Sequence, residues 1–122
     1  MLLISTIAIA ADNKLVIHLN DPARLAELVN VVTNTTEAFN KNVDIVVVVN
    51  GPAITRLASF SNNQESIQAI LNTGAELGAC SNAMQNKKLD ASQLIKGVTV
   101  IKEGGVVRIM QLQKAGYSYI KI

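Results

Sequence analysis

A single cysteine, Cys80, stands in the segment Gly78-Ala79-Cys80-Ser81-Asn82-Ala83-Met84, where a short apolar run gives way to a helical pattern. A thiol at such a junction lies at the carboxyl edge of a sheet, the edge where open α/β proteins hold their ligands. The amides that open the following helix stabilise negative charge there and favour a nucleophilic sulfur. The chain has no second cysteine, so any covalent chemistry of Cys80 is with a thiol or sulfur compound outside the chain. The competing reading is a small, inert core hydrophobe.

Polar residues on two other short loops are candidates to surround the sulfur. His18 and Asn20 follow one apolar run, Asn50-Gly51-Pro52 follows another, and Ser81 and Asn82 adjoin the cysteine itself. If these loops converge, they form a small crevice to which Cys80 must open. Each also has a plainer reading: Asn50-Gly51-Pro52 as turn chemistry, His18 as a core or interface histidine, Asn82 as a partner for helix-end amides. A Cys80–His18 dyad is formally available, with no third orienting group evident. Other chemistries are set aside. Gly104-Gly105 lacks the further glycines and the lysine of a phosphate loop, no G-x-G-x-x-G opens the first helix, and no serine-hydrolase elbow is present. One cysteine and one histidine do not make an intrachain zinc site, so neither a metal nor an organic cofactor is expected.

Positioning these residues requires strands and helices in alternation. Residues 14–19 form a first apolar run, and Asp21-Pro22 then supplies an N-cap and a first helical residue. Leu25, Leu28, Val29 and Val32 recur at helical spacing up to about Ala38. From Val43 to Val49, six of seven residues are β-branched and apolar, and Asn50-Gly51-Pro52 stops the run. A strand with no polar face belongs in the middle of a covered sheet. Residues 54–59 and 64–71 read as helical, with Gly74 as the C-terminal stop of the second. Residues 75–79 form a third strand leading to Cys80. A helical turn follows, then a short piece opened by Asp90 and Ser92. Residues 98–101 are a fourth strand, 106–113 a helix stopped at Gly116, and 117–122 a last strand. This alternation predicts an α/β fold: a three-layer α/β/α sandwich around a mostly parallel five-stranded sheet.

Length and composition agree. A chain of 122 residues builds one core. Apolar residues make up 49 % of it, and only Phe39, Phe60, Tyr117 and Tyr119 are aromatic, so the core is aliphatic. The net charge of +2 is scattered, and Lys87-Lys88 is the one adjacent basic pair. No phosphate-tracking surface follows from that, and no nucleic-acid partner is expected. The division expected is an apolar segment at 1–12 and a single domain at 13–122. The apolar segment is too short to span a bilayer, which needs about 20 residues, so no stable membrane insertion is expected. It reads either as an extra edge strand or as the end of a signal peptide, with Ala8-Ile9-Ala10 as a small-x-small cleavage pattern. A cytoplasmic location is favoured, with export to the periplasm as the alternative.

With His18-Leu19-Asn20, Asn50-Gly51-Pro52, Cys80-Ser81-Asn82 and the closing Gly116-Tyr117-Ser118-Tyr119-Ile120 in view, the chain resembles the DsrE/DsrF-like family, in its single-domain branch. The resemblance covers roughly residues 14–122. It implies assembly into trimers or hexamers and a role in intracellular sulfur trafficking. It also implies that Cys80 accepts sulfane sulfur as a persulfide and passes it to a partner's thiol; the loops read above would place Asn82, Ser81, Asn50, Gly51, His18 and Asn20 around it. The partners would be sulfur-donor and acceptor proteins or small sulfane-sulfur compounds, and thiol–persulfide exchange needs no cofactor. The alternatives are a non-catalytic oligomeric module that binds a small ligand or a protein, and a thiol redox sensor that would need a resolving cysteine from another chain.

Overall fold

The computed structural model describes residues 11–122. The apolar amino-terminal segment, with its two readings, falls almost entirely outside them. Among the described residues there are five strands: β1 (Asn13–Leu19), β2 (Val43–Val49), β3 (Glu76–Cys80), β4 (Thr99–Ile101) and β5 (Ser118–Lys121). Four α-helices link them: α1 (Leu25–Ala38), α2 (Gln64–Asn72), α3 (Ser81–Asn86) and α4 (Gly105–Lys114). The order across the sheet is β4-β3-β2-β1-β5, and every adjacent pair is parallel. β2 is the central strand, in keeping with its apolar β-branched run, which Asp44 alone interrupts.

Alternation along the strands divides the core into two layers. Ile17, Leu19, Ile45, Val47, Val49 and Leu77 pack with Leu28 and Val32 of α1, Ile54 and Leu57, and Ile67 and Ile70 of α2. Val16, Val46, Val48 and Ile101 face the other way, against Ile109 and Leu112 of α4. The asymmetry follows from chain order. Strands β1 to β4 are laid down one beside the next, with their crossovers on one face. β5 returns to the far side of β1, so a right-handed crossover puts α4 on the opposite face.

Several boundaries differ from the sequence reading. The helical piece expected at 54–59 is a 3-10 turn at Gly51–Leu57, begun earlier because Pro52 suits its first turn. Asp21 caps a short 3-10 turn, Pro22–Arg24, by accepting from the Ala23 amide at 2.9 Å. β3 runs one residue further than expected, so Cys80 is its last residue and the N-cap of α3. Gly105, read as preceding a helix, is the first residue of α4. Among the described residues no helix is long and apolar enough to cross a membrane.

Candidate functional site

β3 and β4 are neighbours whose crossovers leave on opposite faces, through α3 and α4 respectively. That makes their carboxyl ends a topological switch point, where open parallel sheets form their ligand crevices. Cys80 is on one side of it and Gly104-Gly105 on the other. The Gly105 amide donates to Cys80 Sγ at 3.2 Å. An N–H from the first turn of α4 therefore points at the sulfur, and the α3 amino terminus begins at the next residue.

The fit around this contact explains the glycines. A Cβ on Gly105 would stand 3.1 Å from Val48 Cγ1 and 3.5 Å from the Cβ atoms of both Asn50 and Cys80. Gly104 has φ +91°, and its missing side chain leaves room for Asn82, whose Nδ2 would be 2.9 Å from a Cβ there. Ser81 Oγ donates to the Lys102 carbonyl at 3.0 Å and ties the start of α3 to the β4–α4 turn. The exits of β3 and β4 meet here and close over the sulfur, so the open crevice expected at Cys80 is not formed: Cys80 is only 6 % exposed. The cause is the turn at 102–105, which α4 draws across the end of β3. A nearby open depression of about 250 Å³ is lined by Gly51, Pro52, Ala83, Asn86 and Lys87.

The remaining candidates form one polar chain along the same edge. Asn50 Oδ1 accepts from Asn20 Nδ2 at 2.9 Å and from His18 Nε2 at 2.8 Å. An amide oxygen only accepts, so Nε2 carries the proton, and in the neutral ring Nδ1 accepts from the Tyr119 hydroxyl at 2.9 Å. The chain is assembled by register: His18 lies opposite Val48 in β2 and Lys121 in β5, two residues beyond the Val16–Tyr119 pair and so on the same face of the sheet. Gly51, at φ +56°, is glycine because Asn20 Nδ2 fills the space 2.3 Å from where its Cβ would be. Asn50 links the two halves of the site, since it shares the flank of Gly105 with Cys80 and holds His18 through its side chain.

Two participants were missed from residue type. Tyr119 is the partner of His18; only its place in the closing Gly-Tyr-x-Tyr-Ile pattern hinted at a role. Beyond the rejected phosphate loop and the approach to a helix, a Gly-Gly pair such as Gly104-Gly105 between a strand and a helix also signals a close backbone approach. Among the described residues, no group of three or more His, Cys, Asp or Glu side chains stands together as a metal-binding set.

The DsrE/DsrF-like family model matches residues 2–122. The chain belongs to this family. DsrE-like membership points, at the level of the family, to sulfur relay. Among solved structures, a protein of unknown function from Methanobacterium thermoautotrophicum, MTH1491, is 27 % identical with a TM-score of 0.84, covering 91 % of this chain and 100 % of its own. The YchN protein of E. coli is 17 % identical with a TM-score of 0.77, over 90 % of this chain and 99 % of its own. A conserved protein of unknown function from Bacteroides thetaiotaomicron, BT1422, is 22 % identical with a TM-score of 0.75, over 94 % and 99 %. The last two likenesses bear on the fold alone. No curated protein sequence matches this DsrE-like chain.

Proposed function

We propose that the protein is a sulfur carrier in which Cys80 takes up sulfane sulfur as a persulfide and passes it to a partner thiol. The observation that carries this reading is the amide of Gly105 donated to Cys80 Sγ at the switch point between β3 and β4. Exchange on sulfur passes through negatively charged sulfur, and an N–H held against it lowers the cost of that charge. The atoms balance without an oxidant. Sγ bonds to the terminal sulfur of a persulfide or polysulfide, the donor's S–S bond breaks, and the donor sulfur leaves with the electron pair and the proton given up by Cys80. Transfer to the acceptor repeats the exchange, with Cys80 as the leaving thiol. Asn50 and Asn82 flank the turn over Cys80, and His18 and Asn20 hold Asn50 in place.

Cyanide strips sulfane sulfur from persulfides as thiocyanate. Protein treated with polysulfide, desalted and then exposed to cyanide should release roughly one equivalent of thiocyanate per chain, and Cys80→Ser none. Equal release from both would overturn the reading.

A second reading, an oligomeric binding module, draws on a separate observation. Among the described residues, one ten-residue helix covers the second face of the sheet, and α4 leaves Val106 and Met110 61 % and 55 % exposed. Val107 and, on β5, Tyr119 extend this apolar surface. We assign it to self-association into a trimer or hexamer, compatible with either function. Partner binding that survives Cys80→Ser, with no sulfur loading in the wild type, would favour the binding module.

A further inference from the structure

The cysteine assigned to sulfur uptake is covered. The 102–105 turn rests on it through the Gly105 amide at 3.2 Å from Sγ, the Ser81 hydroxyl donated to the Lys102 carbonyl at 3.0 Å, and the seat of Gly104 against Asn82. That seat has little slack, because even a methyl group on Gly105 would press on Val48 at 3.1 Å. Gly104 and Gly105 are themselves buried, although the preceding Lys102 and Glu103 are exposed. A persulfide places a second sulfur about 2 Å from Sγ, and attack requires the donor sulfur at about 3–3.5 Å along an open line. On the α4 side the Gly105 nitrogen already stands at that distance.

We infer that the 102–105 turn is a lid on the Cys80 thiol, lifted when the cysteine takes up sulfur. The inference rests on the sulfur-carrier reading of Cys80. Its hinge is the Gly104-Gly105 pair, whose first member has φ +91° and whose second is the first residue of α4. Lifting the lid swings the Gly105 N–H off Sγ toward the incoming sulfur, where it meets the charge that the exchange develops, and loosens the first turn of α4. The next two side chains, Val106 and Val107, belong to the exposed apolar face assigned to self-association, so the sulfur state of a buried atom is passed to that face. Loading itself is the balanced exchange already described: Cys80 gives up its proton, Sγ bonds to a polysulfide sulfur, and the shortened polysulfide leaves with the electron pair and that proton.

Hydrogen exchange read by mass spectrometry on the full chain tests this, with intact mass measured on the same samples. One arm uses sodium tetrasulfide; the other uses methyl methanethiosulfonate, which adds a methylthio group to an accessible cysteine and expels methanesulfinate. In either modified protein, amides at 104–107 should exchange roughly tenfold faster while those of Val46 to Val49 stay protected, and a reducing thiol should restore the slow rate. Ser81→Ala, which frees the Lys102 carbonyl, should speed methylthio modification several-fold. Modification with unchanged exchange at 104–107 would overturn the lid, and if tetrasulfide had added its sulfur the carrier reading would survive. Methylthio modification with faster exchange, but no sulfur gained from tetrasulfide, would keep the lid and overturn the carrier reading. Failure of both reagents to react with the folded protein would overturn the lid.

Discussion

Asn50 shows how much one side chain carries at this edge. Its Oδ1 is the acceptor for both His18 Nε2–H and Asn20 Nδ2–H. Asn50→Ala leaves two half-buried donors without it, and an unmade hydrogen bond of that kind costs about 1–3 kcal/mol. Urea unfolding should show that loss, whereas Tyr119→Phe, which spares the Asn50 bonds, should cost less. Equal losses would mean that Asn50 is not the hub. Gly105 sets a second limit. Gly105→Val forces branched carbons against Val48, Asn50 and Cys80, and overpacking of this kind destabilises by about 1–3 kcal/mol. An unchanged unfolding midpoint for Gly105→Val would contradict the tight seat. Residue types alone identified Cys80, Asn50 and His18 as candidates. They did not indicate that His18 bonds to Tyr119, which is 101 positions away in sequence, because such a contact depends on strand order.

At the scale of elements, α4 has two tasks: its first turn closes over Cys80, and its outer surface is left bare. Val106→Lys combined with Met110→Lys changes only positions exposed in the single chain and should leave the far-UV circular dichroism unchanged. If this surface mediates self-association, light scattering should find the wild type as a trimer or hexamer and the double variant close to the 13.0 kDa of one chain. An oligomer of undiminished mass would place the interface elsewhere. The elements themselves were largely legible in the sequence, for physical reasons. The run from Val43 to Val49 has no polar face, and Asn50-Gly51-Pro52 cannot continue a strand, so both the strand and its central position followed. The start of α4 was misplaced by one residue because glycine carries no helical signal of its own. The closing of that turn over the thiol was hidden for the same reason: the contact is made by backbone.

Across the whole molecule, the return of the chain to β5 ties the two ends of the sheet's chemistry together. At the carboxyl edge Tyr119 reaches His18, and at the amino edge the Tyr117 hydroxyl donates to the Asp44 carboxylate, with Lys14 Nζ 5.9 Å from the centre of the Tyr117 ring. Partial burial, followed by the hydrogen bond to Asp44 and its charge, pushes the Tyr117 phenol from 10.0 up to about 12. The folded chain thus holds this proton more tightly than the unfolded chain. The associated stability is complete below pH 10 and is lost as pH rises through about 12. Wild type should lose stability more steeply than Tyr117→Phe between those limits in urea titrations, and parallel curves would count against the contact. Strand order was not legible beforehand, since local pattern does not say that β5 pairs with β1; yet that order sends α4 to the opposite face and creates the switch point at Cys80. The most direct test of that assignment is the intact mass of the folded protein after exposure to polysulfide, beside Cys80→Ser. The account predicts a gain of about 32 Da, one sulfur, on the wild type alone and its reversal by a reducing thiol. A wild type that gains nothing, with Cys80 also resistant to alkylation until the chain is unfolded, would mean an inert core cysteine and contradict it.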